Sequence, residues 1–96
     1  MKSEILEREL ETYFRQQCNK LGLLTLKLNV AQNRGWPDRM VIHNSHTYFV
    51  ELKTIHGKVT PLQLSVSGRL ATRGYHVPVL RTKEQIKEHL EAIKNA

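Results

Sequence analysis

Residues 35–53 read GWPDRMVIHNSHTYFVELK, and the fold turns on this stretch. Asp38–His43 and His46–Lys53 are both rich in β-branched and aromatic residues, and only Asn44-Ser45 separates them. That pattern predicts an antiparallel hairpin. Side chains alternate along a strand, so His46, Tyr48, Val50 and Leu52 share one face, and Thr47, Phe49, Glu51 and Lys53 the other. A tight turn pairs Ile42 with Thr47 and Met40 with Phe49, and the same register sets Asp38 opposite Glu51. Cross-strand Cβ atoms lie on the order of 5 Å apart. Two carboxylates at that distance repel unless a cation lies between them, and a divalent metal with oxygen ligands suits the place. A plainer reading accounts for the same residues: Glu51 pairs with Lys53 or Arg39, and Asp38 caps a turn.

Upstream, Ser3 to about Leu21 reads as an amphipathic helix capped by Ser3 and ended by Gly22. Its apolar stripe is Leu6, Leu10, Tyr13, Phe14, Gln17 and Leu21. Leu24–Leu28 alternates as a short strand, and residues 29–37 form a loop. Downstream, 55–59 is a connection, and Thr60-Pro61 starts a helix that runs to about Arg73, ahead of Gly74. His76–Leu80 is a strand, with Pro78 favouring an edge or a bulge. Thr82 and Gln85 form a capping-box pattern for a last helix, with Ile86, Leu90 and Ile93 inward. The order is α-β-β-β-α-β-α, an α/β chain of one domain spanning residues 1–96.

The chain has 96 residues, 40% of them hydrophobic and 25% charged, which excludes disordered, collagen-like and disulfide-rich classes. No apolar run spans a membrane, the N-terminus has no export signal, and Cys18 stands alone, so a cytoplasmic location is expected. The net charge of +6 favours a polyanionic partner. Between residues 12 and 83 the acids are Asp38 and Glu51 alone, among eleven basic residues. The five histidines show no zinc spacing, and Walker, GxGxxG and GxSxG motifs are missing, so no nucleotide cofactor is expected.

Gly35-Trp36-Pro37-Asp38 with Glu51-Leu52-Lys53 reads as GxPD…ExK across a 13-residue gap. This resembles the PD-(D/E)XK nuclease superfamily, and within it the VRR-NUC (virus-type replication-repair nuclease) branch. The acidic first helix, Gln63 after Thr60-Pro61, and the terminal strand HVPVL match as well. The resemblance spans roughly Glu4 to Leu80.

It implies a restriction-endonuclease-like core, a mixed sheet flanked by helices. It further implies that Asp38, Glu51 and the Leu52 carbonyl hold Mg²⁺ or Mn²⁺, with Lys53 orienting water and stabilising phosphorane-like charge. Gln63 would serve near the metal or position Lys53. The family also takes a glutamate from its first helix, and among Glu4, Glu7, Glu9 and Glu11 the one nearest the apolar stripe is Glu7. Arg34, Arg39, Lys58, Arg69 and Arg73 are candidates for phosphate contact. Gln32 and Asn33 are weaker candidates, and Trp36 either stacks on a base or, the preferred reading, packs under its loop.

The expected function is a metal-dependent DNA endonuclease, selective for branched DNA such as four-way junctions and acting in repair as a homodimer. A catalytically inactive DNA-binding module of the same fold is the alternative. A small protein- or RNA-binding domain with a fortuitous motif is a third reading.

Overall fold

The computed structural model describes residues 5–28 and 34–96. The order is α1 (Glu7–Leu21), β1 (Leu24–Lys27), β2 (Arg39–His43), β3 (His46–Leu52), α2 (Pro61–Ala71), β4 (Val79–Leu80) and α3 (Lys83–Lys94). The four strands form one sheet in the order β1-β2-β3-β4, with β1, β2 and β3 antiparallel and β4 parallel to β3. The expected element order and mixed sheet are therefore present.

The hairpin closes through Asn44 and Ser45, with φ of 50° and 65°. Both are left-handed, as a two-residue type I′ turn requires. This turn sets the register of Met40 with Phe49 and Ile42 with Thr47, as the sequence predicts. Val41, Val50 and Leu52 are fully buried on one face, against Leu10, Phe14 and Cys18 of α1 and Ile86, Leu90 and Ile93 of α3. α2 stands over the opposite face, since its Gln63 reaches Glu51, whose side chain alternates away from Val50 and Leu52.

Several expectations need correction. α1 begins at Glu7, and its N-cap is Leu6, with no side-chain cap; the expected cap Ser3 lies outside the described residues. Leu6 is exposed, so the stripe is Leu10, Phe14 and Cys18, flanked by Tyr13 and Leu21. Its C-terminus is as expected: Gly22 at φ 73° donates to the Asn19 carbonyl and Leu23 to that of Cys18, a Schellman pair. Leu24 and Leu26 of β1 are exposed, because they share the face of their partners Ile42 and Met40 rather than that of Val41.

α2 stops at Ala71 rather than Arg73, and β4 is confined to Val79–Leu80. The Gln85 side chain accepts from Arg81 N–H rather than from Thr82, so the reciprocal capping box lies instead at Thr60 and Gln63. Among the described residues no helix is long and apolar enough to cross a membrane.

Candidate active site

The hairpin and α2 bring together Asp38, Glu51, Leu52 and Gln63. Asp38 precedes β2, and Glu51 lies near the end of β3. The Asp38 backbone N–H donates to Glu51 Oε1 at 3.2 Å, and the Leu52 N–H donates to Asp38 Oδ2 at 3.1 Å. Each carboxylate is thus held by the backbone beside the other. Gln63 Nε2 donates to Glu51 Oε2 at 2.9 Å.

Gln63 has a second task. Its Oε1 accepts from Thr60 N–H at 2.9 Å, while its own backbone N–H donates to Thr60 Oγ1 at 3.1 Å. The helix start and the carboxylate therefore share one side chain. The T-x-x-Q spacing of a capping box carries this signal, though sequence analysis assigned Gln63 only through the family resemblance.

β4 anchors the strand end: Glu51 N–H donates to the Pro78 carbonyl at 3.0 Å and Lys53 N–H to that of Leu80 at 3.1 Å. Arg81, which sequence analysis gave no role, pins the connection after Lys53. Its Nη1 donates to the carbonyls of Thr54 at 2.7 Å and Gly57 at 2.6 Å. Nothing in the local sequence marks it, because its partners are more than 20 residues away. Gly35, at φ 89°, lies so close to Leu62 that an added Cβ would sit 2.7 Å from that residue's carbonyl oxygen. Glycine is what permits this approach beside Pro37-Asp38.

Glu51 is only 3% exposed. Burial first, and then the Asp38 charge, push its carboxyl up from 4.5 to about 8. The buried Glu51 and half-buried Asp38 carboxyls form a mutually repelling pair. Its donor set, carboxylate oxygens with a backbone carbonyl at hand, has the chemistry of a hard divalent cation site. Beside it, Glu51, Gln63, Gly35 and Pro37 line a cavity of about 170 Å³.

Other expected site residues are more dispersed. Lys53 follows Leu52 and shares the Glu51 face by alternation. Glu7 is exposed in the first turn of α1, and among the described residues no group of three or more His, Cys, Asp or Glu side chains is assembled for a metal. Arg34, Lys58, Arg69 and Arg73 are exposed. Arg39 is not available as expected for phosphate contact. It is 5% exposed, with its guanidinium carbon 5.9 Å from the centre of the Phe14 ring, because its strand position shares the core face of Val50. Gln32 and Asn33 lie outside the described residues.

No family model matches the chain. A protein of Acyrthosiphon pisum secondary endosymbiont phage 1, named "Putative nuclease p44", is 35% identical over 81 residues, covering 83% of this chain and 87% of that protein. A solved structure titled "VRR_NUC domain" superposes with a TM-score of 0.79 at 30% identity, covering 88% of this chain and 94% of the other. With the carboxylate pair held across the hairpin, these likenesses establish that the chain belongs to the VRR-NUC nuclease family.

Proposed function

We propose that this nuclease is a metal-dependent DNA endonuclease, with Asp38, Glu51 and the Leu52 carbonyl as the core of a Mg²⁺ or Mn²⁺ site. The observation that carries the reading is the hydrogen-bonded approach of two carboxylates, one of them buried and raised to about 8. The family resemblance implies Glu7 as a further ligand, but here it is exposed on α1 and, among the described residues, is not grouped with Asp38 and Glu51. When bound, a divalent ion supplies polarisation of the phosphodiester and a lower pKa for attacking water.

The residues of the chain do the rest. Asp38 and Glu51 hold the ion's charge at the strand ends, and Gln63 fixes the rotamer of Glu51. Lys53 places an ammonium where negative charge develops on the phosphate oxygens and orients the water. Hydrolysis forms one bond from water oxygen to phosphorus and breaks one from phosphorus to the sugar oxygen, leaving a phosphomonoester and a hydroxyl.

Four-way junctions and other branched DNA are the proposed substrates. A homodimer, with two sites for two strands, accompanies this reading in cytoplasmic DNA repair. The exposed Leu24 and Leu26 on β1, an edge strand, offer it an apolar face.

The test is cleavage of labelled linear duplex, single strand, flap and four-way junction with Mn²⁺, Mg²⁺ or EDTA, using wild type, Asp38→Ala and Lys53→Ala. Metal-dependent cutting lost in both variants supports the reading. Tight binding without any cutting would instead make the chain an inactive DNA-binding module.

A further inference from the structure

A cleft of about 520 Å³ lies away from the carboxylate pair. It opens because β4 is short. The N–H groups of Glu51 and Lys53 point toward β4, so by alternation those of Thr47 and Phe49 point the same way. β4 begins at Val79 beside Glu51 and leaves that earlier edge of β3 without a neighbouring strand. Phe49 and Tyr75 line the resulting gap.

Phe49 and Tyr75 of this gap extend into a row of three aromatic side chains with Trp36, which lies outside the cleft. Trp36 packs edge-on to Phe49 with ring centres 6.4 Å apart, and Phe49 packs edge-on to Tyr75 at 5.5 Å. The outer two rings stay open to solvent, Trp36 at 37% and Tyr75 at 41%. Arg34 and Arg73, two residues before them in sequence, are exposed, with Arg73 Nη1 donating to the Arg69 carbonyl at 2.8 Å and to Thr72 Oγ1 at 3.2 Å. Phe49 lies on the same strand face as Glu51, two residues away, which is about 7 Å along the strand.

We propose that this aromatic row and its cleft bind an unpaired nucleobase of the DNA strand being cut, within one or two nucleotides of the scissile phosphate. The inference rests on the endonuclease reading and specifies its substrate as DNA with unstacked bases beside the cut. Exposed rings in a basic stretch of the chain match a strand that presents bases and phosphates alternately. Between residues 12 and 83 the only acids are Asp38 and Glu51, so apart from the proposed metal pair no carboxylate of that stretch opposes a phosphate along the row.

Trp36 is the only tryptophan, so its fluorescence reports on the row directly. In EDTA, where cutting plays no part, a short single-stranded DNA and a gapped duplex are expected to quench Trp36 as they bind. Tyr75→Ala should weaken binding of both by about tenfold. Tyr75→Phe, which keeps the ring, should restore it, and affinity for a fully paired, hairpin-closed duplex should stay within twofold in all variants.

DNA binding followed by anisotropy without Trp36 quenching, or equal loss on paired and gapped DNA, overturns the proposal. A shift of Tyr75→Ala from dimer to monomer in sedimentation would also overturn it by giving the row to a second copy. The endonuclease reading stands or falls separately, on cutting with Mn²⁺ by the same wild-type protein.

Discussion

Glu51→Gln should make the metal-free protein more stable at alkaline pH while abolishing its activity. In the folded state the Glu51 carboxyl is raised from 4.5 to about 8 by burial and by Asp38. Between those two values the folded chain holds a proton that the unfolded chain has released. Stability from this group is therefore complete below about pH 4.5 and is lost as pH rises through about 8. Each pH unit in the window removes on the order of 1 kcal/mol, so a few kcal/mol are missing at pH 8.5.

Glutamine carries no charge and escapes this loss. Its amide nitrogen replaces one acceptor oxygen, however, and so faces either the Asp38 N–H or Gln63 Nε2. That mismatch costs about 1 kcal/mol. The net expectation is near-equality or slight destabilisation of the variant at pH 5, and a gain of roughly 2 kcal/mol at pH 8.5. Urea denaturation in EDTA at pH 5, 6.5 and 8.5 measures it. His89, whose buried imidazole is lowered from 6.5 by desolvation, loses stability in the opposite direction on acidification, but does so equally in both proteins and drops out of the difference. Adding Mn²⁺ at pH 8.5 should restore the wild type, by about 3 kcal/mol at a hundredfold excess over Kd, and leave the variant unmoved. A stability difference between the two proteins that does not change with pH refutes the reasoning.

Lys53→Ala should lower cutting by about 100-fold or more with DNA affinity nearly kept, since its charge acts on the transition state; single-turnover kinetics at saturating DNA checks this. Gln63→Glu should keep an acceptor for Thr60 N–H, and so most of the helix cap, while setting a third carboxylate against Glu51; thermal melts near wild type with cutting lost would separate the residue's two tasks. Gly35→Ala should destabilise the chain by about 1–3 kcal/mol, because both its φ of 89° and the 2.7 Å approach to the Leu62 oxygen resist a Cβ; urea midpoints read this directly. Leu10→Ala, at a fully buried position under the sheet, should cost about 2–5 kcal/mol by the same measurement.

What the sequence conveyed well was whatever depends on near neighbours. The two-residue turn at Asn44-Ser45 dictates a register, the register dictates that Asp38 meets Glu51, and each step follows from alternation and turn length alone. The start of α1 failed for a comparable reason. Helical periodicity is visible in Leu6, Leu10, Phe14 and Leu21, but it does not say where tertiary packing ends, and Leu6 proves to be an exposed N-cap. β1 is present where expected, but alternation identifies two faces without saying which one a helix covers. Pairing with Met40 and Ile42 puts Leu24 and Leu26 on the face opposite α1 and α3.

The site divides along the same line. Asp38, Glu51 and Lys53 sit on one hairpin and were legible by counting. Gln63 was read only as a family position, although T-x-x-Q spacing from Thr60 also marks it, and the structure shows why one residue answers to both. The donor that steadies Glu51 belongs to the side chain that closes the first turn of α2, so weakening that turn frees a buried carboxylate. Arg39 misled because charge in a sequence reads as surface, whereas a strand position paired with Val50 carries it inward over Phe14. Arg81, Phe49 and Tyr75 left no trace, and Trp36 was marked only as stacking on a base or packing under its loop. Each joins segments 13 to 39 residues apart, and no period or spacing encodes a contact that only the closed sheet creates. The hairpin assembles the carboxylate pair locally, but the arrival of β4 beside β3 is needed to pin the loop after Lys53 and to leave the cleft open at Phe49. A chain that formed the hairpin without docking β4 would hold both carboxylates and still lack an ordered site.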